Sequence, residues 1–219
     1  MNTLTMKGFL HNKNIKQKAT FKRGFLFFFF FRLVCFLYIF MDQLNNEQLG
    51  LKIIENFITE EEEQLILSQI DKSPSKKNQK SRNAIKRYGS SAPYKGNIVS
   101  KNIPEFLEFL SDKIVESGHL EVKPDSVSIN EYMVGQQIDY HIDSKDSGPI
   151  ISILSLLSPA TMMFKYKREE KSIIIQPRTL IQMSGDIRDK WQHAIAPVEN
   201  TRYSIVFRCS PQVTKNEKK

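Results

Sequence analysis

Three side chains in the sequence could together bind a metal ion. His141 and Asp143 are separated by one residue in the stretch NEYMVGQQIDYHID. On a strand, this spacing points both side chains to the same face. His193, in the stretch GDIRDKWQHAI, could supply a third ligand from elsewhere in the chain. The sequence therefore predicts a metal site made of two imidazoles and one carboxylate.

The strand-like segment TRYSIVFR provides the context that a short histidine–aspartate pair lacks by itself. Alternation places Arg202, Ser204, Val206 and Arg208 on one face of a half-buried strand. Two buried guanidinium groups are costly unless they meet anions, and a dicarboxylate would pair with them through bidentate hydrogen bonds. The alternative for the two arginines is that they form structural salt bridges. The alternative for His193 is that it is a structural histidine and not a metal ligand.

Two histidines and a carboxylate on one face of a metal form the facial triad of non-haem Fe(II) oxygenases, in which a co-substrate and O2 fill the remaining positions. A metal-dependent hydrolase could use the same ligands. That alternative leaves Arg202 and Arg208 without an obvious role, so the sequence favours the oxygenase.

The elements that must position these residues are mostly strands. From residue 127 onward the apolar period is two, without a further long helical pattern, which is typical of a sandwich or jelly roll. The strand-like segments are VSINEYMV, IISILSLLS, TMMFKYKR, KSIIIQ, RTLIQMSG and TRYSIVFR.

Upstream of residue 127 the sequence predicts a strand and two helices. GLKIIENFI reads as a strand that runs into a turn, and Thr59 caps a helix with an acidic first turn. The apolar face of this helix is predicted to be Leu65, Ile66 and Ile70. Residues 103–117 form an amphipathic helix that Gly118 ends, with its aromatic residues in the core. Its apolar positions are Phe106, Leu107, Leu110, Ile114 and Val115. The predicted fold is mainly β with flanking N-terminal helices.

Residues 72–101 are strongly basic and contain no acidic residue. The basic residues are Lys72, Lys76, Lys77, Lys80, Arg82, Lys86, Arg87, Lys95 and Lys101. Tyr88 and Tyr94 are interleaved, and glycine, serine and proline make the segment loop-like. Such a loop suits phosphate contacts and base stacking, although a solvated surface loop is the alternative.

Composition supports one soluble domain, since 219 residues with 40% hydrophobic and 26% charged side chains are ordinary for a globular protein. The net charge of +8 is concentrated at the start, because residues 1–40 hold seven of the 32 basic residues and no acid. The remaining 25 basic residues face 24 acidic ones, so an interaction with nucleic acid must rest on a local patch. Cys35 and Cys209 do not suggest a disulfide framework, which indicates a reducing compartment.

The predicted domain boundaries are a leader at 1–40, an oxygenase domain at 41–210 and a disordered tail at 211–219. Within the leader, residues 24–40 are almost wholly apolar but carry Arg32. The apolar run is shorter than the about 20 residues that a spanning helix needs. The leader is either a targeting segment or an extension before a working start at Met41. We expect the cytoplasm or nucleus, with a mitochondrial or membrane-anchored protein as the alternative. No feature indicates an obligate protein partner.

The run from Asn130 to Arg208 resembles the AlkB family of Fe(II)/2-oxoglutarate-dependent dioxygenases. The matching pieces are NEYMVGQQIDYHID, ISILSL, MSGDIRDKWQHAI and RYSIVFR. A weaker likeness extends upstream through GLKIIENFI, RYG and IPEFL, so the resemblance covers roughly residues 49–210. Four motifs in order are far more specific than a histidine–aspartate pair.

The resemblance implies a double-stranded β-helix (jelly roll) at about 127–210, with a role for each residue of the site. His141, Asp143 and His193 would hold Fe(II). Asn130, Tyr132, Arg202, Ser204 and Arg208 would bind 2-oxoglutarate, with Arg202 on its distal carboxylate and Arg208 near the iron-proximal one. The family reaction uses O2 to oxidise 2-oxoglutarate to succinate and CO2 while it hydroxylates a substrate C–H. An N-methyl group oxidised in this way leaves as formaldehyde, which is demethylation.

Two features of the resemblance bear on the substrate. Base-repair members carry an acidic residue two places after the iron-binding aspartate, where this chain has Lys145. The Arg87–Tyr88–Gly89 segment and the HIDS run look closer to the tRNA wobble-uridine hydroxylase branch. That branch normally adds an RNA-recognition and a methyltransferase domain, for which this chain has no room, so a stand-alone oxygenase is expected.

Arg87, Tyr88, Gly89 and Lys145 are the candidate substrate residues. The predicted substrate is nucleic acid, RNA or tRNA ahead of DNA. The alternatives are oxidation of a protein side chain, or a catalytically silent binding module.

Overall fold

The computed structural model describes residues 49–70, 84–90 and 102–210. All of them lie in one compact unit, Asn45–Lys219. The predictions for the leader, for the tail and for most of the basic stretch concern residues outside this part of the chain. No helix among the described residues is long and apolar enough to cross a membrane.

The described residues form ten strands, three α-helices and one 3-10 helix. The strands are β1 (Leu51–Ile54), β2 (Ala84–Gly89), β3 (Ser126–Tyr132), β4 (Ile138–His141), β5 (Ile151–Leu156), β6 (Ala160–Tyr166), β7 (Glu169–Ile175), β8 (Leu180–Met183), β9 (Gln192–Ile195) and β10 (Arg202–Arg208). The α-helices are α1 (Glu60–Gln69), α2 (Glu105–Glu116) and α3 (Gly185–Asp189), and the 3-10 helix is Lys145–Ser147.

The strands build two antiparallel sheets. The major sheet has six strands in the order β1-β8-β5-β10-β3-β2, and the minor sheet has four in the order β4-β9-β6-β7. The predicted double-stranded β-helix is confirmed, with the helices outside it. The strand order places β10 at the centre of the major sheet, between β5 and β3.

Strand β10 is buried along its whole length rather than half-buried as the sequence suggested. One face of β10 carries the arginines. The other face packs Ile205 and Phe207 into a core with Ile66 of α1 and Leu110 of α2. The helices therefore cover the outer face of the major sheet, and the polar face of β10 is left for the site.

Helix α1 begins as predicted, with a capping box between Thr59 and Glu62. Ile66 and Ile70 are buried, but Leu65 is 62% exposed, so its assignment to the apolar face was wrong. The buried residues within the helix are Glu63 and Ile66 instead.

Helix α2 buries four residues completely: the apolar Leu107, Leu110 and Ile114, and the polar Ser111. Phe106 and Val115 pack against the core, whereas Phe109 is 51% exposed and corrects the expectation that both aromatics are buried. Gly118 follows the helix with φ +71°, a left-handed conformation that suits glycine.

Strand β2 corrects the loop predicted for residues 72–101, because part of that basic stretch pairs with β3. In this register Arg87 lies opposite Ser128 and Tyr88 opposite Val127. Neighbouring residues of a strand point to opposite faces, so Arg87 shares the face of Ser128, whereas Tyr88 lies in the hydrophobic core and is only 8% exposed. The expectation that Tyr88 stacks on a substrate base is therefore wrong.

Candidate metal and co-substrate site

The structure brings the three predicted metal ligands together. One potential ligand atom from each of His141, Asp143 and His193 lies within 4.8 Å of the others. His193 Nε2 is 3.5 Å from Asp143 Oδ2, and the centroids of the two imidazole rings are 4.3 Å apart. Two imidazole nitrogens and a carboxylate at this spacing fit a divalent iron with open coordination positions.

Two neighbouring strands and a loop position these ligands. His141 at the end of β4 lies directly opposite His193 of β9, after an irregularity in the pairing between Ile138 and His141. Asp143 lies beyond the end of β4, in the loop before the 3-10 helix. The prediction that His141 and Asp143 lie on the same face of one strand is therefore wrong. His141 ends a strand, and Asp143 lies in the loop that follows it. Strand β9 was not among the predicted strands.

The protonation states of the ligands suit metal binding. Burial would raise the pKa of Asp143, but the charges of Arg208 and His193 outweigh it and hold this pKa below its ordinary value. Arg208 Nη2 donates to Asp143 Oδ1 at 3.1 Å. Burial, followed by the charge of His141, lowers the pKa of His193 to about 4. At neutral pH the site thus offers an ionised carboxylate and a neutral imidazole, the forms that bind metals.

The backbone fixes the orientation of His141. Its Nδ1 lies 2.9 Å from the carbonyl oxygen of Asp139. A carbonyl can only accept, so Nδ1 donates to it, and Nε2 is the nitrogen that can face a metal.

The five predicted co-substrate residues lie on the same side of the major sheet. In the register of β3 and β10, Tyr132 is opposite Arg202 and Asn130 is opposite Ser204. Asn130 Nδ2 donates to Ser204 Oγ at 3.3 Å. Arg208, at the other end of β10, contacts Asp143 and so connects this face to the metal ligands. A molecule that bridges the metal and Arg202 would lie along this face.

Arg202 has the features of an anion-binding group. It is 1% exposed, its Nη2 donates to Ser155 Oγ at 3.0 Å, and its guanidinium carbon lies 4.8 Å from the centroid of the Tyr132 ring. Its Nε and Nη1 are buried without a hydrogen-bond partner among the described residues. Burial lowers the pKa of Arg202 and raises the pKa of the Tyr132 hydroxyl. A buried cation with two donors to spare fits one carboxylate of 2-oxoglutarate.

Sequence reasoning missed three residues that support these groups. Ser155 accepts from Arg202, and Ser128 Oγ accepts from Arg208 Nη1 at 3.0 Å. Both are serines inside predicted strands that are otherwise rich in apolar residues, which is the signal that could have found them. The third is Arg188, which is 2% exposed and donates to the loop that carries Asp143.

The candidate substrate residues occupy different environments. Arg87 is half-buried on the face of Ser128, and Lys145 is exposed at the start of the 3-10 helix that follows Asp143. Gly89 has φ +81°, and a Cβ atom there would lie 2.2 Å from the carbonyl oxygen of Asp125. Gly89 is thus required by the backbone and Tyr88 by the core, which leaves Arg87 and Lys145 as the candidate substrate contacts.

Comparisons with known proteins agree with this geometry. The profile of the 2OG-Fe(II) oxygenase superfamily matches residues 50–215. The chain is 33% identical over 159 residues to the tRNA (carboxymethyluridine(34)-5-O)-methyltransferase alkbh8 of Xenopus tropicalis. That match covers 68% of this chain but only 25% of the relative, so the chain spans about a quarter of its length.

Two further similarities cover most of the matched protein. Over 176 residues the chain is 30% identical to "Uncharacterized protein L905" of Acanthamoeba polyphaga mimivirus, which covers 73% of this chain and 84% of the relative. A solved structure, "The structure of OsALKBH1", superposes with a TM-score of 0.55 at 14% identity and covers 73% of this chain and 97% of that one. At that identity the superposition shows a shared fold.

Proposed function

This chain belongs to the AlkB family within the 2OG-Fe(II) oxygenase superfamily, and on that premise we propose that it hydroxylates or oxidatively demethylates a nucleic acid, RNA or tRNA ahead of DNA. The chain is an Fe(II)/2-oxoglutarate-dependent dioxygenase by family. The observation that carries its chemistry is the His141, Asp143 and His193 cluster on the same side of the major sheet as the buried donors of Arg202.

Each residue of the site has a defined task in this chemistry. His141, Asp143 and His193 would hold the iron, and Arg202 with Tyr132 would hold the distal carboxylate of 2-oxoglutarate. When bound, iron, 2-oxoglutarate and O2 supply the oxidation that hydroxylates the substrate C–H, with release of succinate and CO2.

The protein itself contributes charge and orientation. Arg208 keeps Asp143 ionised and holds one of its oxygens at 3.1 Å, so the carboxylate is fixed before a metal arrives. Burial of His193 keeps its imidazole neutral. The low exposure of Asp143, His193 and Arg202 keeps bulk water away from the reacting groups.

Two observations support a nucleic-acid substrate. The alkbh8 relative is named for its action on a tRNA uridine, and Arg87 lies on the same face of the major sheet as the co-substrate residues. Lys145 favours a neutral or anionic base over a cationic methylated one, because its ammonium would repel a positive charge near Asp143. A modified uridine meets this requirement. Arg87 and Lys145 are therefore the proposed substrate contacts.

The test is succinate formation by the iron-loaded protein with 2-oxoglutarate and, separately, total RNA, DNA or protein. We expect stimulation by RNA, with modified nucleosides identified by mass spectrometry. The control is the His193→Ala variant, which removes one metal ligand and should abolish turnover. Stimulation by protein alone would refute the nucleic-acid substrate. Absence of 2-oxoglutarate turnover with any added substrate would indicate a catalytically silent module.

A further inference from the structure

Arg188 is a buried cation that the chemistry described above does not use. It lies in α3, five residues before His193, and is 2% exposed. Its Nε donates to the carbonyl oxygen of Gly148 at 2.9 Å, and its Nη2 to that of Ser144 at 2.5 Å. Its Nη1 donates to Asp189 Oδ1 at 2.9 Å and makes a longer contact of 3.4 Å with the carbonyl oxygen of Asp143. One guanidinium thus joins α3 to three backbone positions of another segment.

That segment is the loop that carries the carboxylate ligand. Residues 142–150 belong to no strand, and the 3-10 helix in the middle is closed by its own short-range bonds, Ser147 N–H to the Ser144 carbonyl and Gly148 N–H to the Lys145 carbonyl. These bonds shape the loop but do not attach it to the rest of the fold. Arg188 attaches it to α3, the segment that leads into β9 and His193.

The far end of the same loop is held against β10. Gly148 has φ +82°, and a Cβ atom there would lie 1.9 Å from the carbonyl oxygen of Cys209. The backbone of Gly148 therefore packs directly on the residue after Arg208, whose Nη2 binds Asp143 Oδ1. The loop is fixed to β10 at Gly148 and to α3 through Arg188.

We propose that Arg188 is a positioning residue that presets the Asp143 carboxylate relative to His193 before metal binds. This inference rests on the metal site of the proposed function. Arg188 touches neither the ligand atoms nor the co-substrate face. It acts by holding the backbone carbonyls of Asp143 and Ser144. Its contact with the carbonyl of Gly148 also holds the segment that contains Lys145. Lysine cannot replace it fully, because a single ammonium does not reproduce the fork of donors that reaches three carbonyls and a carboxylate.

The experiment compares metal affinity with stability in four proteins: the wild type and the variants Arg188→Lys, His193→Ala and Arg178→Gln. Arg178 is a matched control, because it is an arginine that holds a turn through Glu63, with Nη1 3.0 Å from Oε2, and contacts no metal ligand. Mn²⁺ affinity is measured by titration followed by electron paramagnetic resonance, and the Tm of each metal-free protein by calorimetry.

We expect Arg188→Lys to weaken Mn²⁺ binding about 10- to 100-fold, the size seen when groups behind metal ligands are changed. Arg178→Gln should lower the Tm without a comparable loss of affinity. The proposal would be overturned, with the metal site intact, if Arg188→Lys bound Mn²⁺ as tightly as the wild type. It would also be overturned if Arg178→Gln, with the same Tm as Arg188→Lys, lost as much Mn²⁺ affinity. His193→Ala that binds Mn²⁺ as tightly as the wild type would refute the metal site itself, and the proposal with it.

A second variant covers the case in which Arg188→Lys does not fold. Asp189 is 59% exposed at its side chain and fixes Nη1 of Arg188 from the solvent side. Asp189→Asn keeps the guanidinium and its three carbonyl contacts, so the protein should fold. We expect a weakening of Mn²⁺ binding of a few-fold, in the same direction, and unchanged affinity would count against the positioning role.

Discussion

Replacing Arg202 by methionine separates its two possible roles, binding a co-substrate carboxylate or stabilising the fold. Methionine has a similar length and no charge, so it fills most of the same space beside Tyr132. In the proposed enzyme, the variant loses the group that holds the distal carboxylate of 2-oxoglutarate. The metal ligands are untouched, since Arg202 is at the opposite end of β10 from Arg208, the arginine that contacts Asp143.

The structure gives the size of both effects. Removing one partner of a buried, hydrogen-bonded charge pair costs about 2–5 kcal/mol of binding free energy. At about 1.4 kcal/mol for each factor of ten, the Kd for 2-oxoglutarate should rise about 30- to 4,000-fold.

The effect on folding should be small by comparison. Arg202 leaves Nε and Nη1 buried without partners among the described residues, and relief of each is worth about 1–3 kcal/mol. Against this gain, the variant loses a charged hydrogen bond to Ser155, worth about 1.5–3 kcal/mol, and the packing on Tyr132, worth about 0.5–2 kcal/mol. At the midpoints of these ranges, a gain of about 4 kcal/mol meets a loss of about 4 kcal/mol, so we expect a net change in the free energy of unfolding within about 2 kcal/mol of zero.

The assay measures 2-oxoglutarate binding to the Mn²⁺-loaded protein by calorimetry, together with urea unfolding of the co-substrate-free protein. Arg178→Met is the control, since it removes an arginine that already has a carboxylate partner, Glu63. If Arg202 instead belongs to a structural ion pair, its removal should cost about 3–5 kcal/mol of stability. Such a loss, combined with unchanged affinity for 2-oxoglutarate, would refute the assignment.

Three further predictions test the fold and the substrate side of the protein. Thr59→Ala should lower the free energy of unfolding by about 1 kcal/mol in urea titrations, because it removes the side-chain half of the α1 capping box, while 2-oxoglutarate affinity stays unchanged. Lys145→Glu should shift turnover, measured on paired oligonucleotides, from uridine-type towards cationic methylated bases, and an unchanged preference would remove Lys145 from the substrate side. Neutralising four basic residues of the stretch 72–101 should reduce the salt dependence of RNA binding by about one unit of slope for each phosphate that the variant no longer neutralises, whereas identical binding at every salt concentration would assign that stretch to ordinary solvated surface. These residues are Lys76, Lys77, Lys80 and Arg82.

The spacing of His141 and Asp143, together with the motifs around them, was enough to predict the cluster that the structure brings together with His193. Their supporting geometry was less predictable. Asp143 is placed by a loop attached through Arg188, and such an attachment has no periodic signal in the sequence. Strand β9 is short and begins with the polar residue Gln192, so its alternation is too weak to distinguish it from a turn.

The basic stretch shows the limit of composition as a guide. Its charges and its glycine and serine content predict a loop, yet Ala84–Gly89 pairs along six residues of β3. Pairing with β3 determines this strand, because it places Tyr88 in the hydrophobic core. Local sequence propensity does not reveal that contact. Sequence reasoning therefore assigned Tyr88 to the substrate, when long-range packing assigns it to the fold.

The arrangement of β10 explains why this strand carries so much of the site. Its apolar residues Ile205 and Phe207 are held by α1 and α2 from outside, which anchors the strand at the centre of the major sheet. An anchored strand can keep charged residues on its opposite face, where an unsupported strand would turn them to solvent. Arg208 meets the ionised Asp143, whereas Arg202 keeps two buried donors that no described residue accepts from. We infer that the two arginines have different tasks: Arg208 fixes the carboxylate of Asp143, whereas the buried donors of Arg202 would receive a carboxylate of the co-substrate.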